Sequence, residues 1–502
     1  MLLPFKNPRF LLSLNRKDRT VQRYFRSEMK RKTLFPFAFR SLIRTFAARN
    51  LKHNKNKQEM STLTVLIVTV FVIGYLCIAL ESVTRINKAA VALLMCVLCW
   101  TLLMIGPGAY YPEVAPDSLV HHISEVIEHH LGDAAGTLFF LMGAMTIVEI
   151  VDSNGGFNFV RDTMKTRSKR KLMWRMAFMT FFLSAILDNL TTSIVMIMVL
   201  RKLVQSRGDR LIYAALVVIS ANSGGAFSPI GDVTTIMLWI KGVITTQGVI
   251  TEIFIPSLVS MLVPAFILQY QLKGKFDKSQ NLPKAEVTQF TKSQRNIIFW
   301  LGVGGLCFVP IFKTLTHLPP FMGILLVLGL LWTVTEVFHY NTSEDDTMAK
   351  RVSDLLSRID LSTIMFFLGI LMAVAVLQEV GVLTALGEGL NEAFAGNYYI
   401  INGIIGVLSS VVDNVPLVAG CMGMYPVAET GAMAVDGIFW QLLAYCAGVG
   451  GSMLIIGSAA GVVVMGLEKI TFGWYLKKIT WIAFAGYLAG ILIYWIERML
   501  FF

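Results

Sequence analysis

Charged residues are scarce in this 502-residue sequence, in which Asp, Glu, Lys and Arg make up 15% of the positions against 55% for hydrophobic residues. Several apolar runs are about 17 to 25 residues long, which is enough for a helix to cross a hydrocarbon core about 30 Å thick. These runs are continuous and lack the short alternating segments of a membrane β-barrel. The sequence therefore predicts an all-α polytopic membrane protein.

Cysteine is also sparse, and the HExxH motif of zinc proteases is absent. The six cysteines are scattered through apolar stretches, and Cys96 and Cys99 form a C-x-x-C within a predicted membrane helix that has no further ligands. Cysteines in this setting are typically small buried residues that pack against neighbouring helices. We therefore expect a protein without cofactor that is not an enzyme.

The net charge of +12 comes from Lys and Arg residues that gather before Met60 and in particular loops. The basic loops are 152–171, 201–210, 273–295, 339–360 and 470–478, whereas the loops 106–133, 381–397 and 429–437 contain no Lys or Arg. Cytoplasmic loops of membrane proteins are enriched in these two residues. The charge thus orients the chain, with the basic loops cytoplasmic, and does not indicate a nucleic-acid partner.

Eight apolar runs predict single spans, near 63–80, 89–105, 134–151, 250–272, 296–312, 318–338, 361–380 and 479–497. Two longer runs, 211–240 and 438–469, are interrupted by glycine and predict broken helices, which gives about ten spans. The segments 172–200 and 398–428 are too long for one crossing and too short for two, and their centres are polar. They predict re-entrant hairpins, one from each side, whose tips stop near the bilayer midplane.

An internal repeat relates two parts of the chain, about 134–272 and about 361–497. Matching landmarks recur after 225 or 226 residues: Gly143 and Gly369, Gly155 and Gly381, Asp188 and Asp413, and Gly224 and Gly450. Five predicted crossings separate the start of one part from the start of the other, so the two parts have inverted topology. Inverted repeats with broken helices at the midplane are the plan of many secondary transporters.

Residues 1–59 form a basic extension that conflicts with this orientation, because the first span would begin on the non-cytoplasmic side. A translation start at Met60 would remove the conflict and leave a nearly neutral end before the first helix. The alternative is a translocated or targeting extension, since the segment is basic, contains serine and has few acids, as transit sequences do. We favour the start at Met60 and expect a transporter domain over 60–502.

Polar residues at membrane depth fall into four motifs, LDNLTTS (187–193), SANSGGAFSPIGDVTT (220–235), SSVVDNVPL (409–417) and GVGGSMLIIGS (448–458). They offer carboxylates, amides, hydroxyls and glycine-exposed carbonyls but no Lys or Arg, which suits a hard cation. A charge at this depth costs about 3 kcal/mol or more, so the acids indicate function. Asp188, Asp232 and Asp413 could also cap the helices that follow them, and the glycine pairs could allow close packing.

Two further groups have alternative interpretations. Glu149 lies near the cytoplasmic end of a predicted span, where it could reach water or belong to a proton path. A non-cytoplasmic loop contains two acids, Glu125 and Glu128, and four histidines, His121, His122, His129 and His130. This spacing is compatible with a metal or pH-sensing site, and a solvated amphipathic helix is the interpretation that we favour.

Together with LFFLMGAMTIVEIVDSNGGF, the four motifs resemble those of the NhaD type of sodium/proton antiporters in the ion transporter superfamily. The resemblance runs from about Ser61 to the C-terminus. It implies that a homodimer exchanges Na⁺ or Li⁺ for H⁺ across a bacterial inner membrane. The partners that it implies are membrane lipid and small inorganic cations, and it implies that Na⁺ binds at Asp188 and Asp413. The polar residues that it implies for activity are Asp188, Asn189, Thr191, Thr192, Asn222, Asp232, Thr234, Thr235, Ser409, Asp413, Asn414 and Ser452.

The mechanism that we expect is competition, in which a buried carboxylate binds either a cation or a proton and only occupied states cross the membrane. The main alternative is an anion carrier for arsenite or a dicarboxylate. Dicarboxylate carriers of the same superfamily have Ser-Asn-Thr at the hairpin tips, whereas this chain has Asp-Asn at both. An intramembrane aspartyl protease is disfavoured, because SPIGD lacks the first glycine of the G-x-G-D motif.

Overall fold

The computed structural model describes residues 62–79, 81, 86–157, 160, 163–164, 166–276, 290–340 and 352–501. In these ranges the regular structure is helical, apart from one isolated antiparallel bridge between Ser168 and Lys275. The prediction of an all-α protein is thereby confirmed. The predicted N-terminal extension and the start site at Met60 lie outside the described residues.

The described ranges contain nineteen α-helices and two short 3-10 helices, Pro107–Ala109 and Pro116–Ser118. The α-helices are α1 (Thr62–Ala79), α2 (Lys88–Ile105), α3 (Leu119–Ser153), α4 (Lys169–Leu187), α5 (Asn189–Leu203), α6 (Arg207–Ala226), α7 (Val233–Ile240), α8 (Thr246–Leu268), α9 (Lys292–Thr316), α10 (Pro320–Tyr340), α11 (Val352–Leu356), α12 (Leu361–Glu379), α13 (Val382–Ala393), α14 (Tyr398–Ser409), α15 (Asn414–Met424), α16 (Ile438–Gly450), α17 (Ala459–Glu468), α18 (Phe472–Lys478) and α19 (Thr480–Phe501).

Seven helices in the described part of the chain are long and apolar enough to cross a membrane, namely α2, α3, α8, α9, α10, α12 and α19. They account for seven of the eight predicted single spans, and α1, which is apolar over a slightly shorter stretch, accounts for the eighth. Large apolar side chains such as Trp300, Leu315 and Trp481 are exposed on α9 and α19, as suits contact with lipid. The helices therefore confirm a polytopic membrane protein.

Each segment predicted as a hairpin or a broken helix consists of two helices with an interruption at its polar motif. Asp188 alone separates α4 from α5, and residues 410–413 separate α14 from α15. Residues 227–232 lie between α6 and α7, and residues 451–458 lie between α16 and α17. The four polar motifs therefore lie at four helix interruptions.

A capping side chain begins the second helix of each pair. These caps are Asp188 for α5, Asp232 for α7, Asp413 for α15 and Ser458 for α17. Each cap accepts a hydrogen bond from a backbone N–H group of the first turn, which would otherwise have no partner within its helix. The capping interpretation is thus correct for the three acids, and it accounts for one oxygen of each carboxylate.

Two glycines allow the paired helices to approach closely. A Cβ at Gly224 of α6 would collide with the carbonyl oxygen of Phe181 in α4. A Cβ at Gly450 of α16 would collide with the carbonyl oxygen of Gly406 in α14. Small residues permit this type of helix contact, so the packing interpretation holds at both positions, and each hairpin lies directly against a broken helix.

Candidate functional site

The four helix interruptions meet around the carboxylate of Asp232, whose side chain is buried. Asn189, the first residue of α5, donates from Nδ2 to Oδ2 of Asp232 over 2.8 Å. Asn414, the first residue of α15, donates from Nδ2 to both carboxylate oxygens over 3.4 Å. The N-termini of α5 and α15 therefore converge on one acid.

A second buried amide, Asn222 of α6, connects the two broken helices to the first hairpin. Its Oδ1 accepts a hydrogen bond from Asn189 over 3.2 Å. Its Nδ2 donates to the hydroxyls of Ser452, over 3.0 Å, and Ser458, over 2.9 Å. With the bonds to Asp232, this side chain completes a hydrogen-bond network that contains a residue from each of the four motifs.

The backbone of Asp188 is strained. Its φ of 87° and ψ of 158° lie in a region that is essentially restricted to glycine, at a cost of about 1 to 3 kcal/mol. Its carboxylate accepts two hydrogen bonds from Thr191, one from the backbone N–H and one from the hydroxyl, each over 2.8 Å. Glycine would relieve the strain at this position, so backbone conformation does not explain the presence of an acid here.

Two hydroxyls of α5, the helix that Asp188 caps, are buried without a hydrogen-bond partner among the described residues. Neither Oγ1 of Thr192 nor Oγ of Ser193 has a hydrogen-bond partner in the described parts of the chain, and both side chains are fully buried. Most buried polar atoms in native proteins are paired, so such exceptions call for a specific explanation. Oxygen atoms are the ligands that hard cations prefer, and Thr192 and Ser193 could supply two of them from α5.

Asp413 differs from Asp188 because a lysine from outside the four motifs reaches it. The Nζ of Lys88, at the first position of α2, lies 3.0 Å from Oδ2 of Asp413. The other oxygen, Oδ1, accepts the backbone N–H of Val415 over 3.2 Å. The motifs contain no Lys or Arg, but the folded cluster does contact a cation, so it is less negative than the motifs indicate.

The three acids nevertheless outnumber this lysine. Asp188 and Asp413 each precede an asparagine that donates to Asp232, so the three carboxylates belong to one cluster. Three ionised carboxylates with one ammonium would leave an excess of negative charge in a buried place, which is unfavourable unless it is compensated. The cluster therefore attracts small cations or protons.

Known transporters resemble this chain over most of its length, and a family model described as citrate transporter matches residues 75–442. Sodium/proton antiporter 1 of Arabidopsis thaliana is 46% identical over 84% of this chain and 71% of its own length. Sodium/proton antiporter 2 of the same plant is 43% identical over 84% and 97%. The Na⁺/H⁺ antiporter NhaD of Alkalimonas amylolytica is 32% identical over 86% and 91%. The chain belongs to the NhaD-type sodium/proton antiporters.

This membership confirms the resemblance drawn from the motifs. NhaD-type proteins are transporters, so the expectation that the chain is not an enzyme is confirmed by its family. Membrane transport is likewise established. The expected bacterial inner membrane stays a prediction, since two of the relatives come from a plant.

Three further residues implied by the NhaD-type resemblance make local hydrogen bonds. The backbone N–H of Thr234 donates to Oδ1 of Asp232 over 3.1 Å, and the hydroxyl of Thr235 donates to the Asp232 carbonyl over 2.8 Å. The hydroxyl of Ser409 donates to the carbonyl of Ala447 over 2.7 Å, which joins α14 to α16. Thr234 and Thr235 thus hold Asp232 in place, whereas Ser409 connects two helices.

Glu149 contacts an arginine instead of the carboxylate cluster. Its Oε1 lies 3.2 Å from Nη1 of Arg358 and accepts the hydroxyl of Ser153 over 3.0 Å. Arg358 follows α11, so the ion pair joins the end of α3 to the segment before α12. The role in a proton path that the sequence suggests for Glu149 stays a prediction.

Three of the four histidines border a cavity of about 490 Å³ between α3, α7, α12 and α15. They are His122, His129 and His130, and Nε2 of His130 lies 2.8 Å from Oε1 of Glu379. The other oxygen of Glu379 accepts the hydroxyl of Tyr111 over 2.6 Å, and burial together with this carboxylate raises the pKa of the Tyr111 phenol. The described residues contain no group of three or more potential ligands placed to hold a metal ion, so the metal interpretation gains no support.

Three residues with a part in this arrangement were not singled out from the sequence. Ser458 follows Asp232 by 226 residues, the spacing of the other landmarks, and this signal could have found it. Ser184 donates to the carbonyl of Ala221 over 2.6 Å, the counterpart of the Ser409 contact. Lys88 had no comparable signal, because a lysine at the start of a span is ordinarily a boundary residue.

Proposed function

We propose that this chain exchanges Na⁺ or Li⁺ for H⁺ across a membrane through the carboxylate cluster formed by Asp188, Asp232 and Asp413. The observation that carries the proposal is the convergence of Asn189 and Asn414 on Asp232. Buried carboxylates among amide and hydroxyl oxygens suit a hard monovalent cation. The relatives named as sodium/proton antiporters support the same activity. We also propose a homodimer, as the NhaD-type resemblance implies.

Exchange follows from competition for the same negative charge. A proton or a sodium ion can each reduce the excess negative charge of the cluster, and protonation of a carboxylate removes the charge that would bind Na⁺. A cluster with neither ion keeps an uncompensated buried charge, which is costly to move through the membrane. Interacting acids share the exchanged proton, so it belongs to the cluster as a whole.

The proposed cycle uses two inverted repeats with re-entrant hairpins. Equivalent contacts in the two parts of the chain support this arrangement, because they recur after 225 or 226 residues. Examples are the approach of Gly224 to Phe181 and of Gly450 to Gly406, and the hydrogen bonds from Ser184 to Ala221 and from Ser409 to Ala447. Repeats of opposite orientation can exchange their conformations, which would open the shared cluster to each side in turn.

An anion carrier is the second candidate, because the matching family model is described as citrate transporter and Lys88 adds a cation to the cluster. Lys88 already pairs with Asp413, however, and the neighbouring Asn414 bonds a second acid, Asp232. An anion would meet repulsion from Asp188 and Asp232, and the described parts of the four motifs contain no Lys or Arg to bind it. The arrangement therefore favours a cation.

Everted membrane vesicles that contain the chain and a pH-sensitive dye distinguish these candidates. After respiration has acidified the interior, NaCl should dequench the dye, because entry of sodium ions would release protons. Vesicles without the chain provide the background. If sodium causes no dequenching and the vesicles take up labelled citrate or succinate, the chain is an anion carrier instead.

A further inference from the structure

Lys88 lies outside both predicted repeats, yet it contacts the tip of the second hairpin, 325 residues away. Its ammonium lies 3.0 Å from Oδ2 of Asp413, and the two side chains are 25% and 16% exposed. The same nitrogen lies 4.2 Å from the centroid of the Phe366 ring in α12. The face of an aromatic ring attracts a cation, so Lys88 is held between an acid and a ring.

Tight packing against α12 fixes the position of the α2 backbone from which the Lys88 side chain extends. Asn87 caps α2 and donates to the hydroxyl of Ser362 in α12 over 2.9 Å. A Cβ at Gly369 of α12 would lie 2.7 Å from the backbone of Ala92, so the two helices are in direct contact. The ammonium of Lys88 therefore extends from a closely packed helix pair to a hairpin tip.

Two ordinary explanations account poorly for Lys88. A lysine at a membrane boundary commonly extends toward water, whereas Lys88 extends to an acid that is largely buried. Negative charge stabilises the first turn of a helix, so a cation at the first position of α2 opposes the helix dipole. The contact with Asp413 explains the lysine better than helix stability or orientation in the membrane.

The two hairpin tips differ in this respect. Within the described residues, Asp413 contacts a lysine, whereas the carboxylate of Asp188 is bonded by Thr191 and by no Lys or Arg. An ammonium and a sodium ion are both monovalent cations that a carboxylate oxygen attracts. They cannot occupy the same position at Oδ2 of Asp413 at the same time.

We propose that Lys88 is a tethered competitor that occupies the cation position at Asp413, so that Na⁺ or Li⁺ must displace its ammonium in order to bind there. This inference rests on the proposed exchange function and assigns a residue that sets its apparent sodium affinity. Without a bound ion, the ammonium compensates Asp413 and reduces its repulsion of Asp232. When sodium binds, the ammonium leaves Oδ2 and its charge stays with the protein.

The test compares Lys88→Met and Lys88→Arg in the vesicle assay, with the KM for sodium and kcat measured separately. Methionine keeps an unbranched apolar stem without the charge, so loss of the competitor should lower the KM about fivefold. Arginine keeps the charge, so its KM should stay close to that of the natural protein. Lys241→Met is the matched control, because Lys241 pairs with Asp133 over 3.1 Å at the histidine-lined cavity, and its KM should not change.

Sodium-dependent thermal stabilisation of the purified protein gives a second readout that needs no transport. The sodium concentration for half-maximal stabilisation should fall by the same factor in Lys88→Met. Lys88→Gln removes the charge with a polar side chain and should shift in the same direction, which keeps the test decisive if the methionine variant does not fold.

An unchanged or raised KM in a folded, neutral Lys88 variant would overturn the inference and would mean that Lys88 holds Asp413 in place for sodium. The proposed function fails separately, if the natural chain itself shows no sodium-dependent proton movement. An active natural chain with the same KM in all Lys88 variants refutes only the role of Lys88.

Discussion

Asn189 and Asp232 join a hairpin tip to the break of the neighbouring helix, with Nδ2 of the amide 2.8 Å from Oδ2 of the carboxylate. This contact makes Asp232 the shared partner of both hairpins, since Asn414 donates to the same side chain. A shift of either hairpin would change the surroundings of one buried charge.

Asp232→Asn should abolish sodium-dependent proton exchange while the protein still inserts in the membrane. Asparagine caps a helix about as well as aspartate, but it lacks the charge, and its amide would face two other amide donors. Dye dequenching and the amount of protein in the vesicles provide the measurement. Asp354→Asn on α11 is the control, because that carboxylate is exposed. Normal exchange in Asp232→Asn would contradict the site.

Asp188→Gly should make the protein more stable and inactive at once. Glycine removes backbone strain of about 1 to 3 kcal/mol, and as a cap it costs only a few tenths of a kcal/mol. Thermal unfolding in detergent and the vesicle assay measure the two effects. Asp188→Asn keeps the cap and the strained backbone, and it should be inactive without the gain in stability. Exchange at the natural rate in the Asn variant would show that the carboxylate has only a structural part.

Ser409→Ala and Ser184→Ala should have equal effects, because each hydroxyl donates one hydrogen bond to a carbonyl of the adjacent broken helix. Loss of one such buried bond costs about 1 to 3 kcal/mol. We expect similar decreases in Tm and an unchanged KM for sodium in both variants. A rise in KM confined to Ser409→Ala would return Ser409 to the set of ion ligands.

Glu468→Gln should lower stability by about 3 kcal/mol. Its side chain is fully buried, with carboxylate oxygens 2.7 Å from Nε of Arg201 and 2.6 Å from Nε of Arg210. These residues connect α5, α6 and α17, and the neutral amide would leave two guanidinium groups poorly compensated. Thermal unfolding measures the loss, with Glu388→Gln, an exposed acid on α13, as the control. Equal Tm values for the two variants would contradict a stabilising role for the ion triad of Glu468, Arg201 and Arg210.

The sequence was sufficient to predict the membrane spans and the positions of the helix interruptions. Apolar run length reflects bilayer thickness directly, and polar residues such as Asp188 and Asp413 are conspicuous within such runs. The constant spacing of landmarks also indicated which motifs correspond to one another. These features depend on local composition, which a sequence displays without reference to folding.

The sequence could not predict which of the three acids receives both hairpin amides, because that depends on how the interruptions meet. The strained backbone of Asp188 was also hidden, since it is imposed by a one-residue connection between α4 and α5. Lys88 was missed because its partner lies 325 residues away. Long-range contacts of this type follow from helix packing and not from local pattern.

Ser458 stands in the second half of the chain where Asp232 stands in the first. In the proposed inverted arrangement, identical halves would give two orientations that are related by a two-fold axis and equal in free energy. An acid in one half and a hydroxyl in the other make the two orientations unequal, so turnover driven by a given gradient should differ in rate from turnover driven by the same gradient reversed. The ratio of gradients at which net exchange stops is fixed by stoichiometry alone, so this difference alters the speed of the carrier in each direction and leaves its equilibrium untouched.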